Sequence, residues 1–196
     1  LVFTNSLAAV FDNEVPEVWR TELFDLIAST PALTWQLLTK RIGNAARMIM
    51  EHTCWRPDKP MLNVWLGASV VNQPEADRDI PKLLQTPAAK RFVSYEPALG
   101  PIQFTGISSS PACFNALLPG RYPALDWVIV GGESAQGGAT ARPFDLNWAR
   151  STVEQCKAAG VPCFVKQFGS NAGTLLRAHA GPWDRFPSRD RAGATP

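Results

Sequence analysis

The chain has 196 residues, 45% of them hydrophobic and 18% charged, with a formal net charge of +2. That is enough chain to bury one substantial core as a single domain, and a charge so near balance argues against a polyanion binder or an acidic tail protein. No apolar run approaches the ~20 residues that cross a bilayer, and no basic segment followed by an apolar one opens the chain as a signal peptide does, so a cytoplasmic protein is expected.

In chain order, the first β-prone run is Leu1-Val2-Phe3, which ends in Thr4-Asn5-Ser6. The chain does not begin with Met, and its first residues already look like a buried strand, so upstream sequence is expected. Without an upstream partner, this apolar edge favours self-association through the first strand. Val15, Val18, Trp19, Leu23, Leu26 and Ile27 then form a stripe of helical period between residues 15 and 29, with Pro16 tolerated in the first turn. Trp35-Gln36-Leu37-Leu38 runs into Thr39-Lys40-Arg41, and Ile42, Ala45, Ala46 and Ile49 repeat the helical pattern. Val64-Trp65-Leu66 runs into Gly67-Ala68-Ser69, followed by a stripe of Ala76, Ile80, Leu83 and Leu84. Arg91-Phe92-Val93 runs into Ser94-Tyr95-Glu96, with Pro97 constraining the exit.

Residues 98–125 break the rhythm. They contain Pro101, Ser108 to Ser110, Pro111, Pro119, Gly120 and Pro123 without a helical stripe, and read as an irregular insertion over the rim. Trp127-Val128-Ile129-Val130 then runs into Gly131-Gly132-Glu133-Ser134. A helix over about 146–158 follows, with Asp145 as its N-cap and Gly160 as its stop. The last run, Cys163-Phe164-Val165, ends in Lys166-Gln167, and residues 170–196, rich in Gly, Pro and Arg, read as a tail that wraps the surface or is disordered.

Apolar runs alternating with helical stripes indicate an α/β fold with a parallel sheet. About six strands over residues 1–169 give a partial (β/α) TIM barrel, two strands short of closure. In such a barrel the chemistry gathers where the strands end, and here nearly every strand ends in polar residues. Two glycines before Glu133 let the backbone approach a ligand; the alternative is a tight turn whose glutamate only caps the next segment. Thr39, Lys40 and Arg41 suit an anion, or are a solvated helix start. Glu96 suits a pairing with Lys40 or Lys166 across the rim, which is either a working pair or part of a structural ring. Asn5, Ser6, Gln167 and Arg142 add hydrogen-bonding capacity. The absence of a histidine at any strand end weighs against a cofactor-free hydrolase or lyase.

Cys54, Cys113, Cys156 and Cys163 form no CxxC pair, and only His52 and His179 exist to help them. No zinc or iron–sulfur site is expected from that spacing, only buried free thiols. Of the seven tryptophans, Trp19, Trp35, Trp65, Trp127 and Trp148 read as packing residues, while Trp55 and Trp183 lie in loops where they could stack on a base or sugar.

Taken together, Leu38-Thr39-Lys40-Arg41, Trp65 to Ser69, Ser94-Tyr95-Glu96-Pro97, Val128 to Ser134 with Ala141-Arg142-Pro143, and Phe164-Val165-Lys166-Gln167 resemble the phage gp-thirty-seven/gp-sixty-eight proteins. These are radical-SAM-like partial TIM barrels found in phages and bacterial genomes, and the match covers most of residues 1–169. The resemblance implies an S-adenosylmethionine-dependent enzyme of unknown substrate that uses a 4Fe-4S cluster. It implies that Ser69, Gly131, Gly132, Glu133 and Ser134 face the cofactor, and that Asn5, Ser6, Thr39, Lys40, Arg41, Arg142 and Gln167 face the substrate. Glu96 and Lys166 would be the catalytic residues. Family members carry a cysteine motif ahead of where this chain begins, and commonly an Asp where this chain has Ala9; by itself this chain is therefore expected to be inactive and to hold neither the cluster nor S-adenosylmethionine. The other reading is a catalytically silent phage accessory domain that binds a small anion, a nucleotide or a protein partner through the rim.

Overall fold

The computed structural model describes residues 2–4, 10–52, 55 and 60–172. Six strands form one sheet: β1 (Val2–Thr4), β2 (Trp35–Thr39), β3 (Val64–Ser69), β4 (Lys90–Tyr95), β7 (Trp127–Gly131) and β8 (Cys163–Gln167). They lie in chain order, β1-β2-β3-β4-β7-β8, and every pairing is parallel. Among the described residues β1 and β8 do not pair with each other, so the sheet has two edges. The crossovers carry α1 (Glu17–Ser29), α2 (Ile42–Met50), α3 (Gln73–Gln85) and α4 (Leu146–Ala159). No described helix is long and apolar enough to cross a membrane.

One alternate set of strand residues packs with the helices. Trp35, Leu37, Val64, Leu66, Ala68, Val93, Tyr95, Val128 and Val130 share a core with Phe24 and Ile27 of α1, Ala45 and Ile49 of α2, Ile80 and Leu83 of α3, and Ala149 and Cys156 of α4. All four helices therefore cover the same face. The other set, including Gln36, Trp65, Gly67, Ser69, Phe92, Ser94, Trp127 and Ile129, stands outside that core, because successive strand side chains point to opposite faces.

Local signals account for the best-defined helices. Asn72 caps α3 by accepting the Glu75 N–H at 3.1 Å, and the Glu75 carboxylate reaches back to the Val71 N–H, also at 3.1 Å, a reciprocal arrangement close to a capping box. Asp145 caps α4 through the Asn147 N–H at 2.8 Å, and Gly160 ends that helix. The expected stripes on α2 and α3 are buried in most of their positions, but the stripe on α1 is not. There Arg20, Phe24 and Ile27 face inward, while Val18, Trp19 and Leu26 are exposed; Trp19, expected in the packing, is 64% exposed.

The described residues form eight strands where the sequence suggests about six, because β5 (Ile107–Ser109) and β6 (Ala112–Phe114) pair as an antiparallel hairpin inside the insertion. A 3-10 turn at Phe104–Gly106 precedes them. The insertion also sits elsewhere than over the rim. It packs on the helical layer, filling the place of the helix absent between β4 and β7. Gln73 and Asp77 of α3 accept the N–H groups of Gln103 and Ser108, and Gln155 of α4 accepts that of Phe104 and donates to the Ile102 carbonyl. Ile102, Phe104, Ile107, Leu117 and Leu125 complete the core there. The chain also stays tied to the fold past residue 169: Ser170 N–H donates to the Glu133 carbonyl, and Asn171 bonds both Ala141 and Phe144.

Candidate functional site

The face of the sheet without helices changes character along the strands. At the N-terminal end Trp65 and Trp127 meet edge-on with ring centres 6.1 Å apart, and Phe92 lies 5.8 Å from Trp127. Gly67, the register partner of Phe92, makes this floor possible, since a Cβ on it would stand 2.3–2.6 Å from three carbons of the Phe92 ring. Toward the C-terminal end the same face turns polar. Ser69 and Ser94 are register partners on β3 and β4, 8% and 3% exposed.

Glu96 follows just beyond β4, at a cis peptide bond to Pro97. Its Oε2 accepts hydrogen bonds from Ser94 Oγ at 3.1 Å and from Lys166 Nζ at 3.4 Å. Lys166 Nζ also lies 3.3 Å from Oε1, yet that buried oxygen accepts no hydrogen bond from any described residue. The contact has the distance of an ion pair without hydrogen-bond geometry, so the lysine is bonded to Oε2 and only electrostatically near Oε1. The Glu96 side chain is 15% exposed and that of Lys166 53%. Register explains how Lys166 is presented: Val130 pairs with Val165 but Gly131 pairs with Gln167. Lys166 is thus the skipped residue of a β-bulge, a device that re-aims a side chain where a strand ends. Of the two partners expected for Glu96, the structure supplies Lys166. Lys40, exposed at the end of β2, makes no hydrogen bond or ion pair with a described residue.

The glycine turn is filled by the chain itself. A Cβ on Gly131 would meet Glu96 Oε1 at 2.6 Å, and one on Gly132 would meet the Phe168 carbonyl oxygen at 2.2 Å. Gly132 N–H donates to the Gln167 carbonyl, and Gln167 Nε2 donates to the Gly132 carbonyl at 3.1 Å. These glycines therefore admit a carboxylate and a neighbouring backbone, where the sequence suggests a ligand. Glu133 is likewise occupied. Arg142 donates to it through its backbone N–H (2.8 Å), Nε (2.9 Å) and Nη2 (2.6 Å). That guanidinium holds the carboxyl at a pKa of about 2. Ser134 lies half-buried in the same turn. An open hollow of about 560 Å3 beside it is lined by residues 135–141 with Ser170 and Asn171. It contains no charged side chain, and so lies next to the chemistry without sharing it.

Thr39 and Arg41 close a turn of their own at the end of β2. Thr39 Oγ1 accepts the Arg41 N–H at 2.9 Å, and Arg41 Nε donates to Asp12 at 3.1 Å. The Glu14 N–H and then Arg41 hold the Asp12 carboxyl below its ordinary pKa. Asn5, Ser6, Ala9, Cys54, His179, Trp183 and residues 173–196 lie outside the described residues. Trp55 is fully buried and donates to the Pro87 carbonyl at 3.0 Å, so it is a core residue with no face for a base. Ser94 received no role from the sequence although it orients Glu96; the period-2 alternation that aligns it with Glu96 was the available signal.

The described cysteines do not fit an iron–sulfur cluster. Cys113 is exposed on β6, while Cys156 is buried on α4 and Cys163 half-buried at the start of β8, the end of the sheet opposite Glu96. Cys113 thus departs from the expectation of buried thiols. No group of three or more His, Cys, Asp or Glu among the described residues could hold a metal ion.

A parallel α/β sheet, covered by helices on one face and gathering a carboxylate, a lysine and two serines at the C-terminal end of the other, defines the class of this protein. The chain belongs to the family described as Protein of unknown function (DUF5131), whose model matches residues 1–183. No curated protein and no solved structure was found to match it.

Proposed function

We propose that the chain is a partial (β/α) barrel of radical-SAM-like type that binds S-adenosylmethionine, or a nucleotide-like substrate, at a mouth formed by Ser69, Ser94, Glu96 and Lys166. The observation that carries this is the gradient on the helix-free face, from the Trp65–Phe92–Trp127 floor to a buried carboxylate lacking a full set of donors. Barrel enzymes work at this edge of the sheet, and the resemblance to the gp-thirty-seven/gp-sixty-eight proteins supplies the cofactor class. Because the described cysteines do not fit a cluster, the reading stops at binding and includes no radical step. The experiment is calorimetric titration of S-adenosylmethionine into the wild type and into Gly131→Ala, whose Cβ would displace Glu96 Oε1. Binding to the wild type, weakened by roughly tenfold or more in the variant as a charge-assisted hydrogen bond is lost, is expected. No binding to the wild type refutes the reading. A silent phage or prophage accessory domain that binds a small anion, nucleotide or protein partner is the second reading. It is favoured by the Glu133–Arg142 pairing, which leaves that glutamate closed to a cofactor.

A further inference from the structure

We infer that the Glu96–Lys166 pair is the receptor for the zwitterionic end of an α-amino-acid group, its ammonium seated on Glu96 and its carboxylate on Lys166. This rests on the ligand-binding reading above and assigns which part of the ligand the pair holds.

Three features of the pair point this way. Glu96 is under-used as an acceptor: an ionised carboxylate offers about four lone-pair sites, and here Oε2 takes Ser94 and Lys166 while buried Oε1 takes no hydrogen bond from any described residue. The pair is also loose. Its 3.3 and 3.4 Å contacts exceed the roughly 2.7–2.9 Å of a charge-assisted bond, which Lys90–Asp126 at 2.7 Å and Arg142–Glu133 at 2.6 Å do reach elsewhere in this chain. Finally, the two partners differ in access. Glu96 is sunk against Gly131, whereas Lys166 is half-exposed on a bulge and free to swing.

Charge conservation then selects the ligand. A lone anion drawn to Lys166 would be repelled by Glu96, and a lone cation on Glu96 would expel Lys166 with its charge unmatched. The other rim cation groups with partners, Arg41 and Arg142, are held by Asp12 and Glu133. A ligand ammonium that takes Glu96, with a carboxylate two bonds away that takes the released Lys166, leaves both charges of the pair matched. Ser94 keeps Glu96 in place during the exchange.

The test is calorimetric titration of three probes. S-adenosylhomocysteine and 5′-methylthioadenosine share their nucleoside and thioether and differ in the amino-acid end, and L-methionine supplies that end without the nucleoside. The wild type should bind S-adenosylhomocysteine at least tenfold more tightly than 5′-methylthioadenosine. Glu96→Gln and Lys166→Gln should each reduce that preference below about threefold, and Lys166→Arg should retain most of it, a pattern a merely structural ion pair does not produce. Equal affinity for the two nucleosides overturns the inference and leaves nucleoside binding standing. L-methionine binding without nucleoside binding sustains the inference and removes the S-adenosylmethionine reading, and no binding of any probe removes both. Should Glu96→Gln fail to fold, the Lys166→Gln and Lys166→Arg comparison, on an exposed side chain, decides alone.

Discussion

Replacing Gly67 with alanine sets two effects of opposite sign against each other. In the middle of β3 a glycine gives up more conformational freedom on folding than alanine does, so on backbone grounds the substitution stabilises by about 0.5–1 kcal/mol. Against this, the new Cβ would stand 2.3, 2.5 and 2.6 Å from three carbons of the Phe92 ring. Phe92 is 1% exposed and packed on Trp127, so the ring cannot swing into solvent. Overpacking of this kind costs about 1–3 kcal/mol. The steric effect wins, and Gly67→Ala should destabilise by a net ~1–2 kcal/mol, lowering the melting temperature by about 2–8 °C for a domain of this size. Urea denaturation at constant slope, with calorimetric melting alongside, measures it. In a Phe92→Leu background the same alanine should cost less, because the atoms it strikes are gone, and the difference between backgrounds is a coupling energy. An alanine variant as stable as the wild type, or an equal cost in both backgrounds, would refute the aromatic floor as described.

Two further outcomes follow from side chains whose roles differ from the simplest expectation. The Glu133 carboxyl, held near a pKa of about 2 by Arg142 against an ordinary 4.5, contributes stability that is present above about 4.5 and is lost as pH falls through about 2; the gap in urea midpoint between wild type and Glu133→Gln should therefore shrink over that window, and a constant gap argues against the pair. Trp55→Phe leaves the Pro87 carbonyl without its donor, a loss of about 1–3 kcal/mol in equilibrium unfolding, and an unchanged midpoint would show that the indole N–H contributes nothing.

Much of the architecture was legible because it depends on local pattern. The apolar runs at Val64 and Trp127, the Asp145 cap, and the stripe of Ala76, Ile80, Leu83 and Leu84 each follow from neighbours within one turn or one strand. The Glu96–Lys166 pairing was legible as one of two options, since both residues fall at strand ends of a parallel sheet. Requirements set across the chain were not. Gly131 and Gly132 read as an opening for a ligand until Glu96 and the Phe168 carbonyl occupy that space. The α1 stripe failed because periodicity places residues on faces without saying which face meets the core. Arg20 turns inward, its guanidinium donating to the Val10 carbonyl at 3.3 Å, and Trp19 turns out. Trp55 looked like a loop residue because its partner, Pro87, lies more than thirty positions away.

The chain-order arrangement of the sheet has a consequence for how such a molecule can change over evolutionary time. Each interior strand forms a seam with the strand on either side of it in the sheet, and among the described residues β1 and β8 form only one seam each. Gain or loss of a unit at either end therefore makes or breaks a single seam, as in a repeat array, while an excision from the middle breaks two and must rejoin the remainder. Replacement of a covering helix by the β5–β6 hairpin is a milder edit of the same kind. It alters the outer layer between β4 and β7 while their parallel register, Phe92 with Trp127 through Tyr95 with Val130, stays intact. Lineages of this fold can thus diversify at the sheet's margins and in its outer layer while the row of strand ends that carries Ser69, Glu96 and Lys166 keeps its spacing.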